Sequence, residues 1–208
     1  MMDQYEQAII QYEKALSINQ QHVDSLFGKG DCLRMMEQYE QAIIQYEKAL
    51  SINQQHVDSL FGKGDCLKMM GQYEQAIIQY EKVLNINQQH VDSLFGKGEC
   101  LKMMGQYEQA IIQYEKVLNI NQQHVYSLFG KGECLKMMGQ YEQAIIQYEK
   151  AFSINQQDLY SLQGKAYCLF QCCQYQIAYS MLQNANKMMP NNKIIEQLLE
   201  QCSNYLKK

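Results

Sequence analysis

The sequence predicts an all-α solenoid in which pairs of helices stack one upon another. Three observations carry this expectation. The sequence repeats itself at a fixed step of 34 residues, as from Val57 to Val91. Each step holds two stretches whose apolar residues recur at helical spacing. The 208-residue chain contains a single proline, Pro190. Proline is costly inside helices, so its near absence over this length suits a helical protein.

The repeat is plainest at residues 57–90, VDSLFGKGDCLKMMGQYEQAIIQYEKVLNINQQH. Residues 91–124 differ from it at one position, Asp65 becoming Glu99. The predicted organisation is a half repeat at 1–22, repeats at 23–56, 57–90, 91–124 and 125–158, a divergent repeat at 159–192, and a capping helix at 193–208. In the first helix of the repeat, Leu60, Gly64, Leu67 and Met70 share one side. In the second, Tyr73, Ala76, Ile77, Tyr80, Val83 and Leu84 do the same. Gly71-Gln72 is a helix stop and short turn. The polar run Asn85-Ile86-Asn87-Gln88-Gln89-His90 closes the repeat. One such pair cannot bury its apolar face alone, and stacking copies builds a continuous core. The last segment carries the stripe Ile194, Ile195, Leu198, Leu199 and Cys202, with Glu196 and Glu200 outward, as a terminal cap requires.

A 34-residue helix–turn–helix repeat with Leu60, Gly64, Leu67, Gly71, Tyr73, Ala76, Tyr80 and Val83 at these places resembles the tetratricopeptide repeat. Leu60 stands where that family often has tryptophan, and Gln88 where it has proline. The resemblance implies a right-handed superhelix of antiparallel helix pairs whose first helices line a concave groove that binds peptides. It implies a groove built in rows. Asp24, Asp58 and Asp92 form the first row, and Phe27, Phe61, Phe95 and Phe129 the next. Asp31, Asp65, Glu99 and Glu133 follow, then Lys68, Lys102 and Lys136. Towards the C-terminus the rows turn aromatic, with Tyr126, Tyr160, Gln163, Tyr167 and Phe170 replacing charged or earlier residues. Identical repeats cannot fix the register of a bound chain, whereas a distinct aromatic patch can, and aromatic anchors tend to dominate interface energy.

The phenylalanines have a second reading, as packing between neighbouring first helices. Gly28, Gly62, Gly96 and Gly130 each cost about 1 kcal/mol relative to alanine in a helix, so something approaches them closely, either a neighbouring helix or a ligand. Members of the family that hold the carboxylate tail of a chaperone use Lys, Asn and Arg in the groove. Here Phe27 and Asp31, or Phe61 and Asp65, followed by Asp92 and Gly96, occupy those places, so that ligand is not expected.

The net charge is −4 and no Lys/Arg run occurs, which excludes the cationic footprint of nucleic-acid binding. Residues 1–7 lack a cationic region followed by an apolar one, which argues against a signal peptide. No apolar run approaches the ~20 residues that span a bilayer. The expectation is a cytoplasmic protein without membrane attachment. Cys32, Cys66, Cys100, Cys134 and Cys168 recur one per repeat; equivalent positions in stacked repeats lie about 8–10 Å apart, beyond disulfide reach. They read as small buried hydrophobes in a reducing compartment. His22, His56, His90 and His124 recur likewise and do not converge on a metal; they read as polar residues at the entry to each first helix. Cys168 and Cys172 share a helix face, without a histidine nearby to complete a site. Gly62-Lys63-Gly64 lies within a helix and is no phosphate loop. The carboxylates read as solvated helix-face charges without special pairing. Neither catalytic machinery, nor cofactor, nor metal is expected.

The predicted function is a protein-interaction module, an adaptor or scaffold for a partner peptide or helix. Two alternatives stand beside it: the substrate-recruiting part of a larger enzyme, since glycosyltransferases that modify protein hydroxyls resemble this arrangement, and an array that associates with itself. Residues 1–5 match 35–39, the end of a first helix and its turn, so the opening helix is expected to expose part of Tyr5, Ala8, Ile9, Tyr12, Ala15 and Leu16 and to offer a route to self-association. Ile10, Ile44, Ile78, Ile112 and Ile146 project outward from the second helices.

Overall fold

A computed structural model of the chain describes residues 2–207. These form twelve α-helices, with no strand among the described residues. They are α1 (Met2–Ile18), α2 (Val23–Met35), α3 (Tyr39–Ile52), α4 (Val57–Met69), α5 (Tyr73–Ile86), α6 (Val91–Met103), α7 (Tyr107–Ile120), α8 (Val125–Met137), α9 (Tyr141–Ile154), α10 (Leu159–Gln171), α11 (Tyr175–Met188) and α12 (Lys193–Leu206). The helices gather into two compact bodies, α1–α6 ending at Gly105 and α7–α12 beginning at Gln106. Within each body every helix packs on the next; α4 also touches α2 and α6, and α10 touches α8 and α12. Short turns join side-by-side helices, so neighbours run antiparallel. This is the all-α stack of helix pairs that the repeat pattern predicts. The second helix runs through Ile86, so Asn85 and Ile86 are helical rather than part of the closing turn.

The turn chemistry follows from backbone freedom. Gly71, Gly105 and Gly139 each adopt φ of 74°, the left-handed conformation that ends a first helix. In the flanking copies, Glu37 (φ 60°) and Cys173 (φ 57°) take the same conformation with a side chain present. At the start of α2, α4, α6 and α8, a histidine accepts the hydrogen bond that a capping residue must accept. The Ser25, Ser59, Ser93 and Ser127 amides donate to Nδ1 of His22, His56, His90 and His124 at 3.2–3.3 Å. The recurring histidines are therefore helix caps, held in the tautomer that leaves Nδ1 unprotonated.

The core explains the glycines. Tyr80 is fully buried between two of them. A Cβ on Gly64 would lie 2.9 Å from its ring, and a Cβ on Gly96 2.7 Å. Gly30 and Gly62 hold Tyr46 in the same way, and Gly132 and Gly164 hold Tyr148. Close approach at Gly28, Gly62, Gly96 and Gly130 is thus made by tyrosine rings of the preceding second helix, Tyr12, Tyr46, Tyr80 and Tyr114, and not by a ligand. Alanine at the base of the second helices (Ala42, Ala76, Ala144) completes the seam. Cys66, Cys100 and Cys168 are buried, and burial pushes each thiol up to about 12. None of the eight cysteines is in a disulfide.

The ends differ. On α12, Ile195 and Cys202 are buried against Leu182 and Ala185 of α11, with Leu198 and Leu199 beside them. Ile194, by contrast, is 40% exposed and falls outside the stripe assigned to it. On α1, Tyr5, Ala8, Ile9, Tyr12, Ala15 and Leu16 are half-buried, whereas the matching Ala42, Tyr46 and Ala49 on α3 are fully buried. Ile10, Ile44, Ile78, Ile112 and Ile146 are about half exposed, as expected. No described helix is long and apolar enough to cross a membrane.

Candidate partner-binding surface

The first helices carry the predicted binding rows, and each body presents its own set. In the first body Asp24, Asp58 and Asp92 are exposed. The phenylalanines are not free knobs. Phe61 is half-buried, its ring 6.0 Å from Tyr80 and 5.5 Å from the capping His90. Phe27 stands in the same relation to Tyr46 and His56, and Phe95 is half-buried too. These rings pack first and offer an edge second, in the orientations that aromatic pairs favour.

The charged rows are paired, contrary to the expectation of solvated, unpaired carboxylates. Asp31 meets Arg34 at 2.6 Å, and Arg34 reaches on to Asp65 of the next first helix at 3.0 Å. Asp65 also holds Lys68 at 2.7 Å, Glu99 holds Lys102 at 2.8 Å, and Glu133 holds Lys136 at 2.7 Å. A second set crosses between repeats: Lys29–Glu13, Lys63–Glu47 and Lys97–Glu81 at 2.7 Å in the first body, Lys131–Glu115 at 2.7 Å and Lys165–Glu149 at 3.0 Å in the second. Partly exposed pairs are worth about 0–1 kcal/mol each. Their larger effect is to neutralise the surface lysines locally, so a ligand anion would have to displace a carboxylate.

Glu133 has a further partner that its aspartate counterpart lacks. Tyr148, fully buried, donates its hydroxyl to Glu133 Oε1. Tyr80 is buried equally, 15 residues after Asp65 as Tyr148 is after Glu133, yet its hydroxyl has no hydrogen-bond partner among the described residues. The shorter aspartate side chain turns to Arg34 and Lys68 instead.

The second body brings three predicted residues together. Between the N-terminal ends of α8 and α10 lies a cleft of about 630 Å³, lined by Val125, Tyr126, Phe129, Asn155, Gln157, Asp158, Leu159 and Tyr160. Tyr126 and Tyr160 are each 71% exposed, far more than a core ring. Phe129 forms the inner wall, its ring 6.3 Å from Tyr160 in an edge-on arrangement. Two turns further along α10, Tyr167 is 46% exposed and receives Lys136 over its face, 5.8 Å from the ring centre. Gln163 is exposed between these aromatics.

Phe170 lies outside the cleft at Tyr126 and Tyr160. It packs against Tyr175 of α11 and Tyr205 of α12, with ring centres 4.9 and 4.7 Å away. With Tyr167 it lines a smaller pocket against Leu198 and Cys202 of α12. The cleft also contains residues that were not expected there: Asn155, Gln157 and Asp158 come from the turn before α10. One signal was visible for Asp158, because it stands where every earlier copy has histidine. It caps α10, accepting from the Tyr160 amide at 3.1 Å and from the Ser161 hydroxyl. Among the described residues no group of three His, Cys, Asp or Glu could hold a metal. Cys172 Sγ lies 3.6 Å from Glu142 Oε1.

A stack of antiparallel helix pairs recurring at a constant step defines an α-helical repeat protein. Comparison narrows the class. The sequence profile of the family described as "Anaphase-promoting complex, cyclosome, subunit 3", a tetratricopeptide-type repeat family, matches residues 1–82 and again 69–151. The chain belongs to this family of tetratricopeptide-type repeat proteins. No curated protein matches it. Among solved structures it resembles YrrB, described as a TPR protein with an unusual peptide-binding site, at TM-score 0.74 and 19% identity over 89% of this chain and 96% of that one. It resembles Pseudomonas aeruginosa PilF at TM-score 0.79 and 18% identity, covering 96% and 90%. It also resembles PilW, a type IV pilus biogenesis factor, at TM-score 0.81 and 17% identity, covering 94% and 90%. At these identities the likeness is one of fold.

Proposed function

We propose that the chain is an adaptor that holds an extended peptide segment of a partner protein, anchored in the aromatic cleft between α8 and α10. The observation that carries this reading is the pairing of two tyrosines, each 71% exposed, across a cleft with Phe129 at its wall. Exposed aromatics around a preformed apolar cleft are costly to leave in water and are the residues that dominate interface energy. The peptide-binding description of YrrB supports the ligand class. The other rows add complementarity rather than anchoring, because their phenylalanines are packed and their lysines paired.

Peptide display selection on the full chain, followed by titration of the selected peptides, tests this. Tyr126→Ala or Tyr160→Ala should each weaken binding by about 2 kcal/mol or more, roughly thirtyfold. Asp24→Ala and Asp58→Ala should change it little. Equal losses at both sets of positions would reject the anchor.

A further inference from the structure

We infer that the cleft takes a cationic side chain of the partner peptide, an arginine or a lysine, with its charge set against Asp158 and its stem between Tyr126 and Tyr160. The inference rests on the reading of the cleft as the peptide anchor and gives that anchor a ligand chemistry.

The argument begins with a substitution pattern. In the first body the places that match Tyr126 and Asp158 hold Asp24 and His56. There the imidazole Nε2 and the carboxylate lie 3.9 Å apart, and the same imidazole stacks edge-on against Phe27 at 5.6 Å. An acid and a base close that site between them. In the second body both have changed. The acid has become an aromatic, Tyr126, and the base has become an acid, Asp158. The phenylalanine now faces Tyr160 in place of an imidazole.

The result is a carboxylate among aromatic faces, and none of the described residues lining the cleft carries a positive charge. Asp158 accepts from the Tyr160 amide and the Ser161 hydroxyl, which are dipoles and not cations. A neutral peptide covering the cleft would strip water from this carboxylate with no charge in return, which is costly. A guanidinium or ammonium compensates it and at the same time meets the negative faces of two tyrosines. Arginine suits the site best, since its planar group can stack on a ring while donating to a carboxylate. The molecule uses such a contact already, where Lys136 lies over Tyr167.

The test uses the full chain and two peptides, acetyl-Gly-Ser-Leu-Arg-Leu-Ser-Gly-amide and the same peptide with citrulline, a neutral isostere, in place of arginine. Wild type should prefer the arginine peptide by about tenfold, the scale of one exposed charge pair plus a cation–π contact, and the preference should shrink in 0.5 M salt. Asp158→Asn removes the charge but keeps a good helix cap, so the protein stays folded. It should bring the two affinities together by weakening the arginine peptide more than the citrulline peptide. Asp158→His, which restores the residue of the earlier copies, should do the same. Tyr126→Ala should weaken both peptides. If wild type binds the two equally, or binds neither, the cationic assignment is overturned. Loss of the display-selected peptides as well would instead overturn the anchor itself, so the two failures are distinguishable.

Discussion

Tyr80 in the first body and Tyr148 in the second hold the same place in their repeats, with equal burial and the same glycine neighbours, and differ in one bond. Tyr148 reaches Glu133, whereas Tyr80 has only the shorter Asp65 in front of it and its hydroxyl goes unpaired. The single difference between residues 57–90 and 91–124, Asp65 against Glu99, is this same methylene. A change that looks conservative on a helix surface therefore decides whether a buried hydroxyl is satisfied. An unpaired buried hydroxyl costs about 1–3 kcal/mol, so the two bodies are not equally well built even where their sequences nearly agree.

The comparison breaks most sharply under phenylalanine. Tyr148→Phe removes a hydrogen bond to a charged acceptor and should cost about 1.5–3 kcal/mol. Tyr80→Phe removes only an unpaired hydroxyl and should be neutral or stabilising. Urea midpoints of the two variants should move in opposite directions or differ by that amount. A smaller effect sharpens the comparison: Asp65→Glu should let Tyr80 find the partner that Tyr148 has, and should stabilise by about 1 kcal/mol. If Asp65→Glu stabilises no more in wild type than in the Tyr80→Phe background, the gain does not come from the hydroxyl.

The turns give a third contrast. Glu37 and Cys173 hold the left-handed conformation that Gly71, Gly105 and Gly139 hold at no steric cost. Glu37→Gly and Cys173→Gly should each stabilise by about 1 kcal/mol, read from thermal midpoints, while Gly71→Ala should lose a similar amount. One measurement should not separate the bodies. Cys66 and Cys100 in the first and Cys168 in the second all have thiols pushed up to about 12 by burial, from the ordinary thiol value of 9.0. A raised folded value means the native state holds its proton more tightly. The stability from these groups is complete below pH about 9 and is lost as pH rises from there towards 12. Chemical denaturation at pH 8, 9 and 10.5 should show it, and stability that rises across this interval would contradict the burial of these thiols.

The sequence made the helices, the turn glycines and the cap legible because each depends on neighbours within one or two turns of the chain. Leu60, Leu67, Ala76, Tyr80 and Val83 were readable as core from spacing alone. What spacing could not show lies between helices. The Lys63–Glu47 pair joins two helices of different repeats, and no periodicity within either helix announces it. Gly62 could be read as tightly approached, but a Tyr46 ring and a ligand leave the same mark on a sequence. Phe170 shares the register of the groove lysines, and only the docking of α12 turns it towards Tyr205. For the candidate surface, Tyr126, Phe129 and Tyr160 were readable as breaks in an otherwise uniform pattern. Asn155 and Gln157 recur in the closing turns of the earlier copies and carried no signal of their own.

The tyrosine held between two glycines has a consequence for how the array comes apart. Tyr46, Tyr80 and Tyr148 each belong to two adjacent repeats at once, since Tyr80 fills the hollow at Gly64 in its own helix pair and at Gly96 in the next. Neither repeat can melt without uncovering the ring that the other needs. Coupling between neighbours therefore rivals the stability of a single repeat, and a linear stack of this kind unfolds as a moving boundary rather than as independent beads. In the fifth copy the ring becomes Leu182, and the matching small residue in front of it is Ala166. That junction lacks the buried tyrosine wedge, and Phe170 packed on Tyr175 and Tyr205 holds α10, α11 and α12 together instead, so the boundary meets a different kind of joint at the C-terminal pair.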